Sequence, residues 1–526
     1  MKRAFLLASA LALACSLARA DEPAKPNDDK TPPPEEVFKP EDVVTQGAIA
    51  GINYEAHAGT LVVHPGNWDD VKDKENKDNA TAVASMFYVA YFKKGAAATE
   101  RPVTFFYNGG PGSSTVWLHM GSFGPKRVIT ADDTHTPAAP YQVIDNDSTL
   151  LDASDLVFID APGTGFSRIA GKDKFKAFYG VDQDAYAFSQ FIQQFLTKYG
   201  RWNSPKFLFG ESYGTPRSAV LVNLLQSASV DFNGVILLSQ ILNFDLFDDI
   251  PDFNPGVDLP YQVSLPTYAA TAWYHHKLPG QRPADLPKFL QEVEHFAMND
   301  YALALLAGAS LPDDQRHAIA EKLHAYTGLS VAYILKANLR VGGGEFEKNL
   351  QDDANLTTGR LDSRFSGPTL DPLSKSADYD PQSAAISSAY VSAFNDYVRR
   401  TLNYGHDRQF KPMIPVFSHW EFKHHQPGAD FASLGITNVL PDLATAMKTN
   451  TNLKILLLGG YFDVATPYFQ GVYEMRHLPI PQNLQANISY HYYQSGHMVY
   501  ANADALKQMH RDVAAFIHST DNVSRK

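Results

Sequence analysis

Between residues 103 and 238, short apolar runs alternate with segments whose apolar residues recur every three or four positions. The runs Val103–Tyr107, Leu156–Ile159, Phe207–Phe209 and Gly234–Leu238 are too short for helices and predict buried strands. Residues Asp182 to Tyr199 place Phe188, Phe191, Ile192, Phe195 and Leu196 on one helical stripe, and Thr215 to Leu225 reads as a second helix. Strand and helix taking turns predicts an α/β fold: a mostly parallel central sheet with helices on both faces. Upstream, Ala48–Tyr54 and Gly59–His64 read as a hairpin joined by Glu55–Ala58. Asp69 to Asp78 is a charged connection, and Ser85–Phe92 a strand with aromatics directed to both faces.

The alternation stops near Asn243. From there to about Ile436 few runs are strand-like, while Leu286–Tyr301, Asp314–Thr327 and Ala384–Asn403 carry helical periodicity between loops rich in Pro, Gly and Asp. This predicts an inserted, largely helical cap. The sheet resumes at Leu453–Leu458 and Ile488–Tyr492, and an amphipathic helix near Ala503–His518 closes the chain. The expected organisation is a first core part over 42–242, a cap over 243–436 and a second core part over 437–526. No internal repeat is visible.

Composition narrows the class. Of 526 residues 44% are hydrophobic and 19% charged, which suits a large globular enzyme. A net charge of −12 without a Lys/Arg stripe argues against nucleic acid as a partner. Lys2 and Arg3, the apolar run Ala4–Ala14 and the small-residue site Ala18-Arg19-Ala20 predict a secretory signal peptide over residues 1–20. The expected product is periplasmic or secreted, with no integral membrane span. The one cysteine, Cys15, lies inside that signal, so a mature chain would fold without disulfides; lipid anchoring at Cys15 is the alternative. Residues 21–41, rich in Pro, Asp, Glu and Lys, predict an unstructured leader.

The chemistry is suggested by Gly210-Glu211-Ser212-Tyr213-Gly214, set between a predicted strand and a predicted helix. A Gly-x-Ser-x-Gly turn in that context is the nucleophile elbow of an α/β-hydrolase. Serine needs a base to take its proton, and the base needs an acid to orient it. In this fold the acid and then the base follow the serine in the chain. Asp463 stands just beyond the strand ending at Leu458, and His497 just beyond the one ending at Tyr492. Ligand sites in open α/β sheets form at those carboxyl ends. Asn108-Gly109-Gly110-Pro111-Gly112 follows the first buried strand and can present backbone N–H groups to an oxyanion, together with the N–H of Tyr213. Such donors contribute about 3 kcal/mol each to lowering a barrier.

The motifs together resemble the serine carboxypeptidase family. Phe106 to Ser114 with Gly124-Pro125 resembles its first signature, and Asp160-Ala161-Pro162-Gly163-Thr164-Gly165-Phe166-Ser167 a second. Gly210–Gly214 matches the nucleophile signature and Gly496-His497-Met498-Val499 the histidine signature. The resemblance implies release of C-terminal residues from peptides, with Ser212, Asp463 and His497 catalytic and Gly110 and Tyr213 as the oxyanion hole. It also implies that Asn108, Gly109 and Glu211 bind substrate, Asn108 and Glu211 at its free α-carboxylate. A protonated Glu211 can donate to that carboxylate, whereas an ionised one repels it. The simpler alternative for Glu211 is a charge at a helix N-terminus, worth about 0.5 kcal/mol. Three departures stand out: Ser122 where a second glutamate is expected, Ser113 for a cysteine, and Tyr500 for a proline.

Fold and triad do not choose the acyl acceptor, so an esterase or acyltransferase remains a rival, as does a non-catalytic binding protein. The pairs His275-His276 and His424-His425 read as solvated or packed residues, since adjacent side chains rarely bind one metal. Leu265–Tyr274 reads as core or as the wall of an apolar pocket. No phosphate-binding, dinucleotide or zinc signature occurs, so no cofactor or metal is implied.

Overall fold

The structure is a computed structural model that describes residues 37–66, 68, 82–249, 251, 254–433 and 435–524. The signal segment 1–20, most of the leader and the charged connection 69–78 lie outside the described residues. Fourteen strands occur among those described: β1 (Glu41–Ile49), β2 (Ile52–Val63), β3 (Val83–Lys93), β4 (Val103–Tyr107), β5 (Lys126–Val128), β6 (Val143–Asp145), β7 (Asp155–Ile159), β8 (Arg168–Ala170), β9 (Lys206–Glu211), β10 (Gly234–Leu238), β11 (Leu356–Thr358), β12 (Ser366–Pro368), β13 (Lys454–Gly460) and β14 (Ile488–Tyr493). Ten form the main sheet, in the order β1-β2-β3-β7-β4-β9-β10-β13-β14, with β8 on β3; β5–β6 and β11–β12 are small separate ribbons. From β7 to β14 every pairing is parallel, and β1, β2 and β3 are an antiparallel edge.

The central strands are apolar on both faces because both faces are covered. Leu208, Val235, Leu237, Ile455 and Leu457 point into one core with the helices Val181–Lys198, Gly214–Ser227 and Leu440–Thr449. Their neighbours Phe207, Phe209, Ile236, Leu238, Leu456 and Leu458 point into the other, with Pro381–Arg400 and Ala503–Thr520. This is the architecture of an α/β-hydrolase.

One expectation fails. The first hairpin turns at Ala50-Gly51, not at Glu55–Ala58: Ile49 pairs with Ile52, and residues 55–58 lie mid-strand in β2. Ala50 and Gly51 have φ of 48° and 78°, the geometry of a two-residue type I′ turn. The leader's last residue, Glu41, likewise belongs to β1, pairing with Thr60. Between β10 and β13 the described chain is mainly helical, and a third core forms around Tyr261, Leu265, Tyr268, Val293 and Phe346. Leu265–Tyr274 belongs to the helix Leu259–Tyr274 and packs there as core. That core also takes in Phe462, Val464, Tyr468 and Phe469, the residues flanking Asp463.

Candidate active site

The turn after β9 is sterically dictated. A Cβ at Gly210 would collide with the carbonyl of Gly214, and one at Gly214 would sit 2.8 Å from the carbonyl of Tyr107. Ser212 itself has φ +59°, a region L-residues seldom occupy outside constrained sites. Its N–H donates to Leu238 O (3.0 Å) at the end of β10, and its carbonyl accepts from Thr215 N (2.8 Å) as the helix Gly214–Ser227 begins. The side chain is half-exposed.

Asp463 and His497 stand three residues beyond β13 and four beyond β14. The imidazole Nδ1 lies 2.8 Å from Asp463 Oδ2, and both residues are buried. Asp463 also accepts from Thr466 N (3.0 Å) and Thr466 Oγ1 (2.7 Å), which fixes its plane. Burial opposes a charged imidazole, but the charge and hydrogen bond of Asp463, aided by Glu211, leave the His497 pKa above its ordinary value. Ser239, next after β10, donates its hydroxyl to His497 O (2.7 Å). The backbones of Ser212 and His497 thus converge on the same strand end. Among the described residues no hydrogen bond joins the Ser212 hydroxyl to the imidazole.

The glycine-rich turn after β4 lies against the elbow. A Cβ at Gly109 would collide with the Tyr213 N–H, so glycine is required for the approach. Gly109 is buried there, whereas Gly110 is exposed with φ +110°. Asn108 is held from three sides. Its carbonyl accepts from Arg217 (2.8 Å), its side-chain oxygen from Leu118 N (3.1 Å) and its N–H bonds Thr115 Oγ1 (3.4 Å). Arg217 is in turn locked to buried Asp184 (2.6 Å), and Thr115 N to Asp160 Oδ1 (2.8 Å). With its oxygen occupied by Leu118 N, the Asn108 amide group is left to donate, near enough to the Glu211 carboxyl to lower its pKa. Burial raises Glu211 to about 7, against the lowering pull of the His497 charge, the Tyr500 and Asn108 hydrogen bonds.

Ser122 does not meet Glu211. Its hydroxyl donates to Leu118 O (2.6 Å) within its own helical turn. Tyr500 meets Glu211 instead. A second contribution that sequence reasoning missed is the segment Gly359–Phe365. Arg360 O accepts from Val464 N (3.1 Å) and Ala465 N (3.2 Å), and Leu361 O from His497 N (2.6 Å). Gly496 must be glycine because a Cβ there would lie 2.5 Å from Asp362 Cα. Arg360 is pinned to Asp249 (2.6 Å). The only sequence signal was a run of charged and glycine residues inside a region expected to be helical.

The paired histidines diverge. His275 Nε2 bonds Ser363 O (2.6 Å), and His276 is exposed. His424 is buried between Asp182 (2.5 Å) and Asp442 (2.7 Å), while exposed His425 touches Asp182 (2.9 Å).

An elbow serine at a parallel sheet's rim, with a hydrogen-bonded Asp–His pair on the next strands, defines the class as an α/β-hydrolase. Within that class, residues 75–239 match the family model Peptidase_S10, described as serine carboxypeptidase. Among curated relatives, a pheromone-processing carboxypeptidase of Cryptococcus gattii serotype B is 28% identical over 159 residues, covering 30% of this chain and 22% of the relative. A serine carboxypeptidase-like protein of Oryza sativa subsp. japonica is 31% identical over 133 residues, covering 25% of this chain and 28% of the relative. The matched stretch thus spans about a quarter of each relative. A solved proline iminopeptidase of Mycobacterium smegmatis covers 91% of this chain and 98% of its own, at 12% identity and a TM-score of 0.33, too distant to bear on activity. Among the described residues no helix is long and apolar enough to cross a membrane.

Proposed function

We propose that the protein is a serine carboxypeptidase that releases C-terminal residues from peptides through an acyl-enzyme. His497 removes the proton of Ser212 as its oxygen attacks the scissile carbonyl. Asp463 holds the imidazole with Nδ1 protonated, leaving Nε2 as the base, and offsets the charge that develops. The N–H groups of Gly110 and Tyr213 receive the oxyanion. His497 then protonates the departing amine, and water attacks the acyl-enzyme with the same base. Export from the cytoplasm, suggested by residues 1–20, belongs to this reading.

The single observation that carries peptide C-termini over other acyl substrates is the burial of Asn108 together with Glu211, which directly precedes the nucleophile. An amide donor beside a carboxyl whose pKa burial raises to about 7, and which is mostly protonated at more acidic pH, is a receptor for a carboxylate. The test compares one blocked peptide as free acid and as C-terminal amide, followed by product mass. The free acid is expected to be cleaved at least ~100-fold faster near pH 6, since each unpaired buried polar contact costs about 1–3 kcal/mol. Equal rates would reject the carboxypeptidase reading and leave an esterase or acyltransferase.

A further inference from the structure

Glu211 has a partner on the turn that follows His497. The Tyr500 hydroxyl lies 2.8 Å from Glu211 Oε2 and 3.1 Å from Oε1, with both residues buried. A phenol has one proton to give, so one carboxyl oxygen accepts it and the other is left to serve a different partner. Gly121 makes the room: a Cβ there would sit 2.5 Å from the Tyr500 ring and 2.7 Å from that of Tyr390. The ring is carried on the short turn Val499–Ala501, clamped by Ser495 Oγ donating to Val499 O (3.1 Å). Position, clearance and backbone are all set for one contact.

The groups facing Glu211 come from four elements. Asn108 follows β4, Asp463 follows β13, His497 and Tyr500 follow β14, and Tyr390 lies on the helix Pro381–Arg400. A charged His497 favours the carboxylate, Asp463 opposes it, and Tyr390 is neutral in the working range. Of these, Tyr500 is the one whose hydroxyl hydrogen-bonds Glu211, and it stays uncharged in that range.

We propose that Tyr500 is a positioning residue for terminal-carboxylate recognition: its hydroxyl occupies one oxygen of Glu211, turning the other toward the substrate's α-carboxylate beside Asn108. This rests on the carboxypeptidase reading and adds to it a residue that acts on substrate only through Glu211. The hydrogen bond also pulls Glu211 downward against burial, so its loss extends the protonated range upward in pH.

The test is Tyr500→Phe, which keeps the ring in its slot and removes only the donor. The kcat/KM for a free-acid peptide and its C-terminal amide is measured from about pH 5 to about pH 9. For the free acid a fall of roughly tenfold is expected, mostly in KM, with the alkaline limb moved up by about half a pH unit; the amide changes less than about twofold. In a Glu211→Gln background the same substitution is expected to change the acid-to-amide preference less than about twofold. An unchanged preference and limb in Tyr500→Phe, equal losses on both substrates, or additive losses in the double variant would each overturn the proposal. A wild-type enzyme indifferent to the free acid would reject the underlying carboxypeptidase reading, which the wild-type arm alone decides.

Discussion

The candidate site has two sides, held in different ways. On one, Ser212 follows β9 directly, and its position is fixed by a left-handed φ, two glycines and one hydrogen bond to β10. On the other, Asp463 and His497 sit on longer loops held by the distant segment Gly359–Phe365 and by a core that mixes Phe462 and Val464 with helices between β10 and β13. The geometry of Ser212 is local and that of the Asp463–His497 pair is not. On the proposed mechanism, rigid strand ends and the helical stretch between β10 and β13 share the work of alignment.

The comparison can be broken first at the nucleophile. Ser212→Ala is expected to lower kcat by about 10⁴-fold or more while leaving the thermal midpoint unchanged. Asp463→Asn should cost a similar factor, about 10⁴, because the amide favours the wrong imidazole tautomer. Steady-state rates and melting curves check both. Retained activity in either variant would detach the site from the chemistry.

The nonlocal side is sharpened by Arg360→Ala. Asp249 and the buried Glu347 lose their cation and the segment bracing both loops loosens. A loss of about 3 kcal/mol in stability and about 100-fold in kcat is expected, equally for acid and amide substrates. A loss confined to free acids would assign Arg360 to recognition instead.

What could be read in advance follows the same division. The alternation of strand and helix and the elbow are local patterns, and β4, β10 and the helices around Ser212 lie where the periodicity predicts them. The failures are of two kinds. At the first hairpin, the small residues Ala56, Ala58 and Gly59 mimic a turn, while the actual turn, Ala50-Gly51, carries only one glycine as a signal. At the site, the bond from Tyr500 to Glu211 spans 289 residues, and Leu361 to His497 runs through a backbone carbonyl that any side chain could supply. Tyr500 looked like a departure from a pattern because nothing in a linear sequence says what a substituted ring will touch.

A smaller effect separates stability from chemistry. Burial disfavours a charged His424, but hydrogen bonds to Asp182 and Asp442 outweigh it and raise its pKa to about 9, above the ordinary 6.5. The folded chain thus holds a proton that the unfolded chain releases, so this contribution is complete below pH 6.5 and fades as pH rises toward 9. The thermal midpoint of the wild type is expected to fall across that window, and that of His424→Asn to be lower and flatter. Parallel curves would remove the linkage.

The convergence of Ser212, Asp463 and His497 is tested most directly by intact mass after exposure to a fluorophosphonate. One adduct, mapped to Ser212, should form in the wild type, and its rate should drop by orders of magnitude in His497→Ala. No adduct, labelling elsewhere, or a rate indifferent to His497 would contradict a shared acyl-transfer centre at the rim of the sheet.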